Sequence, residues 1–150
     1  MINTHKDLVL LFLSNAFVTI FLVHLVKFPH WLTESPKIID EYYVKDIFVN
    51  TFLDFFYIFV YLQISFYFID KFNVTSNVSK MSVIAFVTST ITGLFVYYFT
   101  NTQKTQNFFS RFFNKVGYSA CIYDIVIVCS VYYIYQYLKN ESFWIIWIQQ

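Results

Sequence analysis

Four long apolar stretches, almost free of charged residues, restrict what this chain can fold into more than any other feature. They cover about residues 8–26, 47–69, 81–99 and 116–138. An α-helix needs about 20 apolar residues to cross a hydrocarbon layer about 30 Å thick, and each stretch reaches or approaches that length. The sequence therefore predicts an all-α integral membrane protein with a single membrane domain, a four-transmembrane-helix bundle that runs up-down-up-down with short connections.

The composition excludes the main alternative folds. Charged residues make up only 13% of the chain and hydrophobic residues 58%, whereas a soluble domain carries about 25% charged residues. A transmembrane barrel requires strict alternation over segments of about ten residues, but the apolar runs here are continuous.

The charge distribution indicates the class of partner. The net charge is +1, and there is no basic stripe to bind the phosphates of a nucleic acid. We therefore expect the partners to be the lipid bilayer and other membrane subunits or copies of the chain. The connections are too short to suggest a binding site for a soluble small-molecule substrate.

Two segments outside the spans suit the membrane surface. The first connection, residues 27–46, contains Pro29, Pro36 and several charges, and we expect a short interfacial helix near Trp31. The aromatic tail at residues 143–148 is too short to cross a membrane. Its two tryptophans favour a position at the level of the lipid headgroups.

Two aspartates interrupt the apolar stretches, Asp54 in the second and Asp124 in the fourth. At 1.5 Å per residue, each lies roughly 10–12 Å inside the start of its span. Because the second and fourth spans run in the same direction, we expect both carboxylates at similar depth, where they can face each other. An ionisable side chain inside a membrane costs at least about 2.5–3.5 kcal/mol, so it indicates a functional site by default.

Other polar side chains recur at helical spacing within the first and second spans. In the second span, residues three or four positions apart share one face, and in the first span Asn15 and Thr19 do the same. The candidate intramembrane site for a proton, a cation or a subunit contact consists of Asp54, Asp124, Asn50, Tyr57, Tyr61 and Asn15.

Small residues indicate where helices approach each other closely. The third span contains Ala85-x-x-x-Ser89-x-x-x-Gly93, a spacing that places three small side chains in one stripe. Gly117 and Cys121 begin a similar seam in the fourth span. We expect these five residues to pack helix against helix.

No catalytic, cofactor or metal motif occurs in the sequence. It has no Ser–His–Asp grouping, HExxH, CxxC, P-loop or GxGxxG. The histidines lack the spacing and common depth of haem or metal ligands. We therefore expect no enzymatic activity, no cofactor and no metal, with a redox subunit that uses His24 as the remaining enzymatic alternative.

The fourth span also carries a resemblance. It contains the run Ile122-Tyr123-Asp124-Ile125-Val126-Ile127-Val128 and the aromatic end Tyr132-Tyr133-Ile134-Tyr135. This segment and the overall layout resemble uncharacterised small polytopic membrane proteins of large DNA viruses with AT-rich genomes. The resemblance implies a protein of a virion membrane or a host membrane, and it implies no catalytic residues.

Two functions remain open from the sequence. The preferred hypothesis is a structural or assembly subunit of a larger membrane complex, in a viral or host membrane or an organellar inner membrane. Its polar residues would then be satisfied by Tyr hydroxyls, Asn15, or a lysine such as Lys45 or Lys115. The alternative is a proton- or cation-conducting channel or transport subunit that uses Asp54 and Asp124.

Overall fold

Helices that begin and end near the predicted spans make up most of the structure. The computed structural model describes residue 2 and residues 4–45, 47–101 and 108–140; the predicted interfacial tail, residues 143–148, lies outside the described residues. No strand occurs among the described residues, so the all-α fold is confirmed. The helices are α1 (His5–Val18), α2 (Phe28–Thr33), α3 (Pro36–Asp40), α4 (Ile47–Lys71), α5 (Asn77–Asn101), α6 (Phe108–Val116) and α7 (Ser119–Asn140).

Two of these helices continue with a wider, π-helical winding. α1 extends as the π-helix Thr19–Leu25, at whose end the Val26 N–H donates to the Phe21 carbonyl five residues back. α3 extends as the π-helix Glu41–Lys45.

Four segments of the described chain are long and apolar enough to cross a membrane, which confirms the prediction of a multi-pass membrane protein by length and composition. They are His5–Leu25, Val49–Lys71, Asn77–Asn101 and Ser119–Asn140. Their bounds differ from the predicted ones by four residues or fewer.

The last span, α7, occupies the centre of the packing. It packs against α1 on one side and α5 on the other, and α4 completes the bundle against α5. The interior contains aliphatic side chains that are almost fully buried, among them Leu11, Leu62, Ile84 and Val131. Inside a bilayer, where lipid is as apolar as these side chains, their close packing rather than their removal from water contributes to holding the four spans together.

Large apolar side chains also cover the outside of the bundle. Phe52, Phe86, Leu94 and Tyr133, which come from α4, α5 and α7, are each more than 60% exposed. A soluble protein rarely exposes so much contiguous apolar surface, whereas a bilayer accepts it. The outer faces therefore suit lipid.

The first connection contains a short helix at Trp31, where the sequence predicted one. Trp31 lies in α2, is exposed, and donates its indole N–H to the Val26 carbonyl at 3.0 Å. α2 and α3 each begin with a proline in the first turn, where a missing N–H is tolerated. We call this end of the bundle, where the first and third connections lie, the connection end.

The third connection, between the third and fourth spans, contains a helix, α6, that was not among the expected elements. Its apolar residues are Phe108, Phe109, Phe112, Phe113 and Val116, and Arg111 and Lys115 on its other face are exposed. This spacing is typical of an amphipathic helix. The two phenylalanine pairs, Phe108-Phe109 and Phe112-Phe113, are the sequence signal for this helix, although charged residues interrupt them.

Gly117 occupies a different place from the one expected. It lies in the turn between α6 and α7, outside the fourth span, with a φ of +56°. A Cβ at this position would meet nothing within 4 Å, so Gly117 brings no two helices together. It supplies instead the left-handed residue that ends α6, and its N–H donates to the Phe113 carbonyl at 2.8 Å.

Candidate functional site

The two intramembrane aspartates border one cavity of about 150 Å³ inside the bundle. The cavity lies between α4, α5 and α7, near the connection end, where Tyr42, Tyr43 and three phenylalanines of α6 line it. The structure thus brings together the two carboxylates that the sequence places at similar depth. Among the described residues its walls are mainly aromatic, with five tyrosines and five phenylalanines.

Asp54 receives a hydrogen bond from a residue outside the four spans. The Tyr42 hydroxyl donates to Asp54 Oδ1 at 2.6 Å. Asn50 Nδ2, one turn before Asp54, donates to the Tyr42 carbonyl oxygen at 2.6 Å and so fixes the backbone of that tyrosine. Burial raises the pKa of the Tyr42 phenol well above its ordinary value, and the adjacent Asp54 raises it further, so the phenol stays protonated and donates.

The sequence did not indicate Tyr42, because it lies in a charged connection. Its ring is held by α6, with centroids 5.6 Å from Phe108 and 5.5 Å from Phe112. A pair of tyrosines just before a span that carries an aspartate was the only sequence signal for this contact.

Asp124 receives a hydrogen bond from the neighbouring span. The Thr92 hydroxyl of α5 donates to Asp124 Oδ2 at 2.6 Å, and Thr92 is almost fully buried. The Tyr61 hydroxyl of α4 lies 3.4 Å from Thr92 Oγ1, which is longer than a full-strength hydrogen bond. Polar groups of α4, α5 and α7 therefore converge at this level.

Each carboxylate has one oxygen that no described residue binds. Among the described residues, no hydrogen bond reaches Asp54 Oδ2 or Asp124 Oδ1, and neither side chain forms an ion pair. Both aspartates are half-buried and line the cavity. Lys45 and Lys115, which the sequence allowed as partners, are exposed.

Two pairs of tyrosines contact each other in the walls of the cavity. The Tyr43 hydroxyl of the π-helix hydrogen-bonds with the Tyr123 hydroxyl of α7, beside Asp124. Tyr57 lies on the same face of α4 as Asp54 and stacks on Tyr61, with centroids 6.5 Å apart. These contacts hold the rings in place around the two carboxylates.

Asn15 does not join this site. It is buried in α1, does not line the cavity, and its side-chain Nδ2 and Oδ1 find no hydrogen-bond partner in the described part of the chain. It therefore satisfies neither aspartate. The structure contains no feature that explains its polarity.

The connections are tied to each other over the cavity. Both terminal nitrogens of Arg111, in α6, donate to the Glu41 carboxylate at 2.7 and 3.3 Å. The hydrogen bond from Arg111 lowers the pKa of Glu41 below its ordinary value. We call this pair the clasp; it links α6 to the π-helix that carries Tyr42 and Tyr43.

The small-residue stripe lies partly at the contact between α5 and α7. A Cβ on Gly93 would lie 3.9 Å from Cys121 Sγ, and the same sulfur lies 3.9 Å from the Ser89 carbonyl oxygen. Ala85 is half-buried, two turns from Gly93 on the same helix. Ser89, Gly93 and Cys121 thus meet where the two helices pack.

A second polar cluster joins the first and last spans at the opposite end of the bundle. The Tyr135 hydroxyl donates to Asp7 Oδ1 at 2.9 Å, and Lys139 Nζ lies 2.8 Å from the same oxygen. Asp7 also completes a capping box with Thr4 at the start of α1. Asp7 lies just outside the predicted first span, and the sequence gives no sign of this contact.

Neither a metal site nor a haem site emerges from the histidines. His24 is exposed and its ring lies edge-on to Tyr43, with centroids 6.4 Å apart, while His30 pairs with Asp40 at 2.9 Å. In the part of the chain that the structure describes, no three His, Cys, Asp or Glu side chains are grouped so as to hold a metal ion.

No known family model, curated protein or solved structure matches this chain.

Proposed function

We propose that the chain binds a proton or a small cation between Asp54 and Asp124, as a subunit that takes part in proton or cation transport. One observation carries this proposal. Two carboxylates border the same intramembrane cavity, each with an oxygen that no described residue binds, and no described cation neutralises them.

The energetics favour an occupant. Two carboxylates that share a site cannot both be charged without a strong electrostatic penalty, and the penalty is larger inside a membrane. A shared proton neutralises one of the two carboxylates, and a cation held between them offsets their repulsion. A purely structural role would be served better by pairing each aspartate fully, and the single hydroxyl donor on each leaves that pairing incomplete.

Flux measurements on the reconstituted protein test this proposal. We expect Asp54→Asn, Asp124→Asn and the double variant to abolish proton or cation flux into liposomes while the protein stays folded. Asp70→Asn is the matched control, because Asp70 lies on the same helix as Asp54 but is exposed and does not line the cavity. Wild-type flux in the double variant would contradict the proposal.

A structural or assembly role in a larger membrane complex is the second candidate, and the outer surface favours it. Beyond the exposed aromatic residues, an apolar groove of about 640 Å³ runs between α1 and α7, lined by residues such as Phe17, Phe21 and Tyr133. Such surfaces suit lipid or neighbouring helices. The resemblance to small polytopic viral proteins supports a viral or host membrane, and an organellar inner membrane is the alternative.

Crosslinking in the native membrane tests the second role. We expect partners from one membrane complex to be captured through the groove between α1 and α7 and to be lost when Phe17 and Phe21 are replaced by alanine. A chain that is monomeric in mild detergent and captures no specific partner in its own membrane would contradict an assembly role.

A further inference from the structure

We infer that the occupant of the cavity is a small primary alkylammonium ion, a cation with a short hydrocarbon chain and N–H donors. This inference rests on the proposed function, because it names the class of cation that Asp54 and Asp124 would hold. It follows from the chemistry of the walls, the unused acceptors and the size of the cavity.

The walls suit an organic cation better than a hydrated ion. Ring faces attract cations through the π-electron quadrupole, and this attraction is strongest where water is excluded. Tyr57 and Tyr61 stack on one side, and the Phe95 ring meets Tyr57 edge-on at 5.8 Å. An alkylammonium places its charge near the carboxylates and its hydrocarbon chain against the phenylalanines.

The unused acceptors match a primary ammonium group. Such a group carries three N–H donors. Asp54 Oδ2 and Asp124 Oδ1 are two acceptors that the described residues leave free, and Tyr57, which also lines the cavity, has a hydroxyl that forms no hydrogen bond to a described residue. A quaternary ammonium has no N–H and would leave these oxygens unbound.

A metal ion fits this lining less well. Ca²⁺ takes about six to eight oxygen ligands and Mg²⁺ about six. Most of the lining side chains here are aromatic or aliphatic, and the carboxylates already accept hydrogen bonds from Tyr42 and Thr92. A metal ion would depend on water for most of its shell, against walls that offer water few partners.

The volume limits the size of the ligand. The cavity measures about 150 Å³, and an engineered apolar cavity of about that volume holds benzene. A ligand of roughly six non-hydrogen atoms therefore fits, and n-pentylammonium, with five carbons and one nitrogen, is a suitable probe.

Calorimetric titration of the full chain in nanodiscs tests the inference with a series of probes at pH 7. We expect saturable binding of n-pentylammonium, with n-pentanol, its neutral isostere, and tetramethylammonium, which lacks N–H donors, each at least tenfold weaker. This comparison uses the wild-type protein, so it holds even if a variant fails to fold. Equal binding of pentanol or of tetramethylammonium would overturn the inference.

Variants locate the binding and separate it from partitioning into lipid. Asp54→Asn/Asp124→Asn is expected to lose the saturable component, and Asp70→Asn to keep it; pentylammonium binding that persists in the double variant would overturn the inference. If flux of protons or Na⁺ depends on the two aspartates but pentylammonium does not bind, the ammonium inference fails and the proposed function stands. If neither flux nor binding depends on them, both fail.

Discussion

The hydroxyl of Tyr42, in the first connection, donates to Asp54 Oδ1 inside the second span at 2.6 Å, across twelve positions of the chain. A residue that precedes the span therefore completes the environment of a carboxylate within it. The connection end is thus part of the candidate site.

Replacing Tyr42 by phenylalanine removes the hydroxyl donor and keeps the ring that packs on Phe108 and Phe112. We expect the free energy of unfolding to fall by about 1 kcal/mol, because one oxygen of Asp54 loses its partner and hydrogen bonds inside membrane proteins contribute about that much or less. Denaturant unfolding in mixed micelles measures it. Tyr133→Phe is the control, because Tyr133 is exposed and its change should leave stability as it is.

Replacing each of the two glycines by alanine should change the free energy of unfolding in opposite directions. Gly117→Ala forces a side chain into a left-handed conformation and should lower the free energy of unfolding by about 1 kcal/mol or more, although the space around it is open. Gly93 lies within α5, and an alanine Cβ there would make an ordinary contact with Cys121 Sγ. Gly93→Ala should therefore raise the free energy of unfolding by up to about 1 kcal/mol. A large loss at Gly93 would mean that α5 and α7 need a closer approach than the structure has.

The clasp should hold α6 over the cavity. Arg111→Gln removes both hydrogen bonds to Glu41, so amide hydrogen exchange within residues 108–116 should become faster. Lys115→Gln is the control, since it removes a positive charge from the same helix and forms no ion pair with a described residue. Equal exchange in wild type and the Arg111 variant would show that the aromatic contacts alone hold α6.

The clasp should also depend on pH in a defined direction. Arg111 lowers the pKa of Glu41 in the folded protein. The clasp therefore stabilises the folded state fully at pH values above the pKa of Glu41 in the unfolded chain, which is about 4.3. The stabilisation from the clasp is lost as the pH falls through the lower pKa that Glu41 has in the folded protein. Comparing wild type with Arg111→Gln at each pH, we expect their exchange within residues 108–116 to converge only in acid; a difference that persists unchanged there would contradict this assignment.

The cluster at the opposite end should show coupling between the first and last spans. A double-mutant cycle of Asp7→Asn and Lys139→Gln should give a coupling free energy of about 0.5 kcal/mol or more, because the two groups lie 2.8 Å apart and Asp7 is largely buried. Additive effects would mean that Thr4 and Tyr135 satisfy Asp7 without the lysine. Lys6→Gln is the matched control, because it removes a positive charge next to Asp7 in the sequence in place of that of Lys139.

The spans and the depth of the aspartates could be predicted from sequence because they depend on local properties. Length and hydropathy determine which segments cross a membrane, and a constant rise per residue places Asp54 and Asp124 at similar depth. The hydrogen-bond donors could not be predicted, since Tyr42 and Thr92 reach the aspartates through the packing of separate helices. The pattern within one helix does not specify which side chains of other helices it will meet.

Other differences have separate physical causes. The sequence places Gly117 in the fourth span because a continuous apolar run hides a turn, and the positive φ of Gly117 identifies the break. The sequence groups Asn15 with the site because helical spacing specifies a face of one helix but not which neighbour that face meets. The phenylalanine pairs of α6, together with the charged residues between them, form the amphipathic pattern of a short helix.

The order of the donors along the chain has a consequence for membrane insertion. Tyr42 precedes Asp54, and Thr92 precedes Asp124. During synthesis from the amino terminus, each hydroxyl has therefore been made before the carboxylate that it will bind leaves the ribosome. Neither aspartate has to enter the bilayer before its donor exists, and this order favours insertion of the two spans that carry a carboxylate.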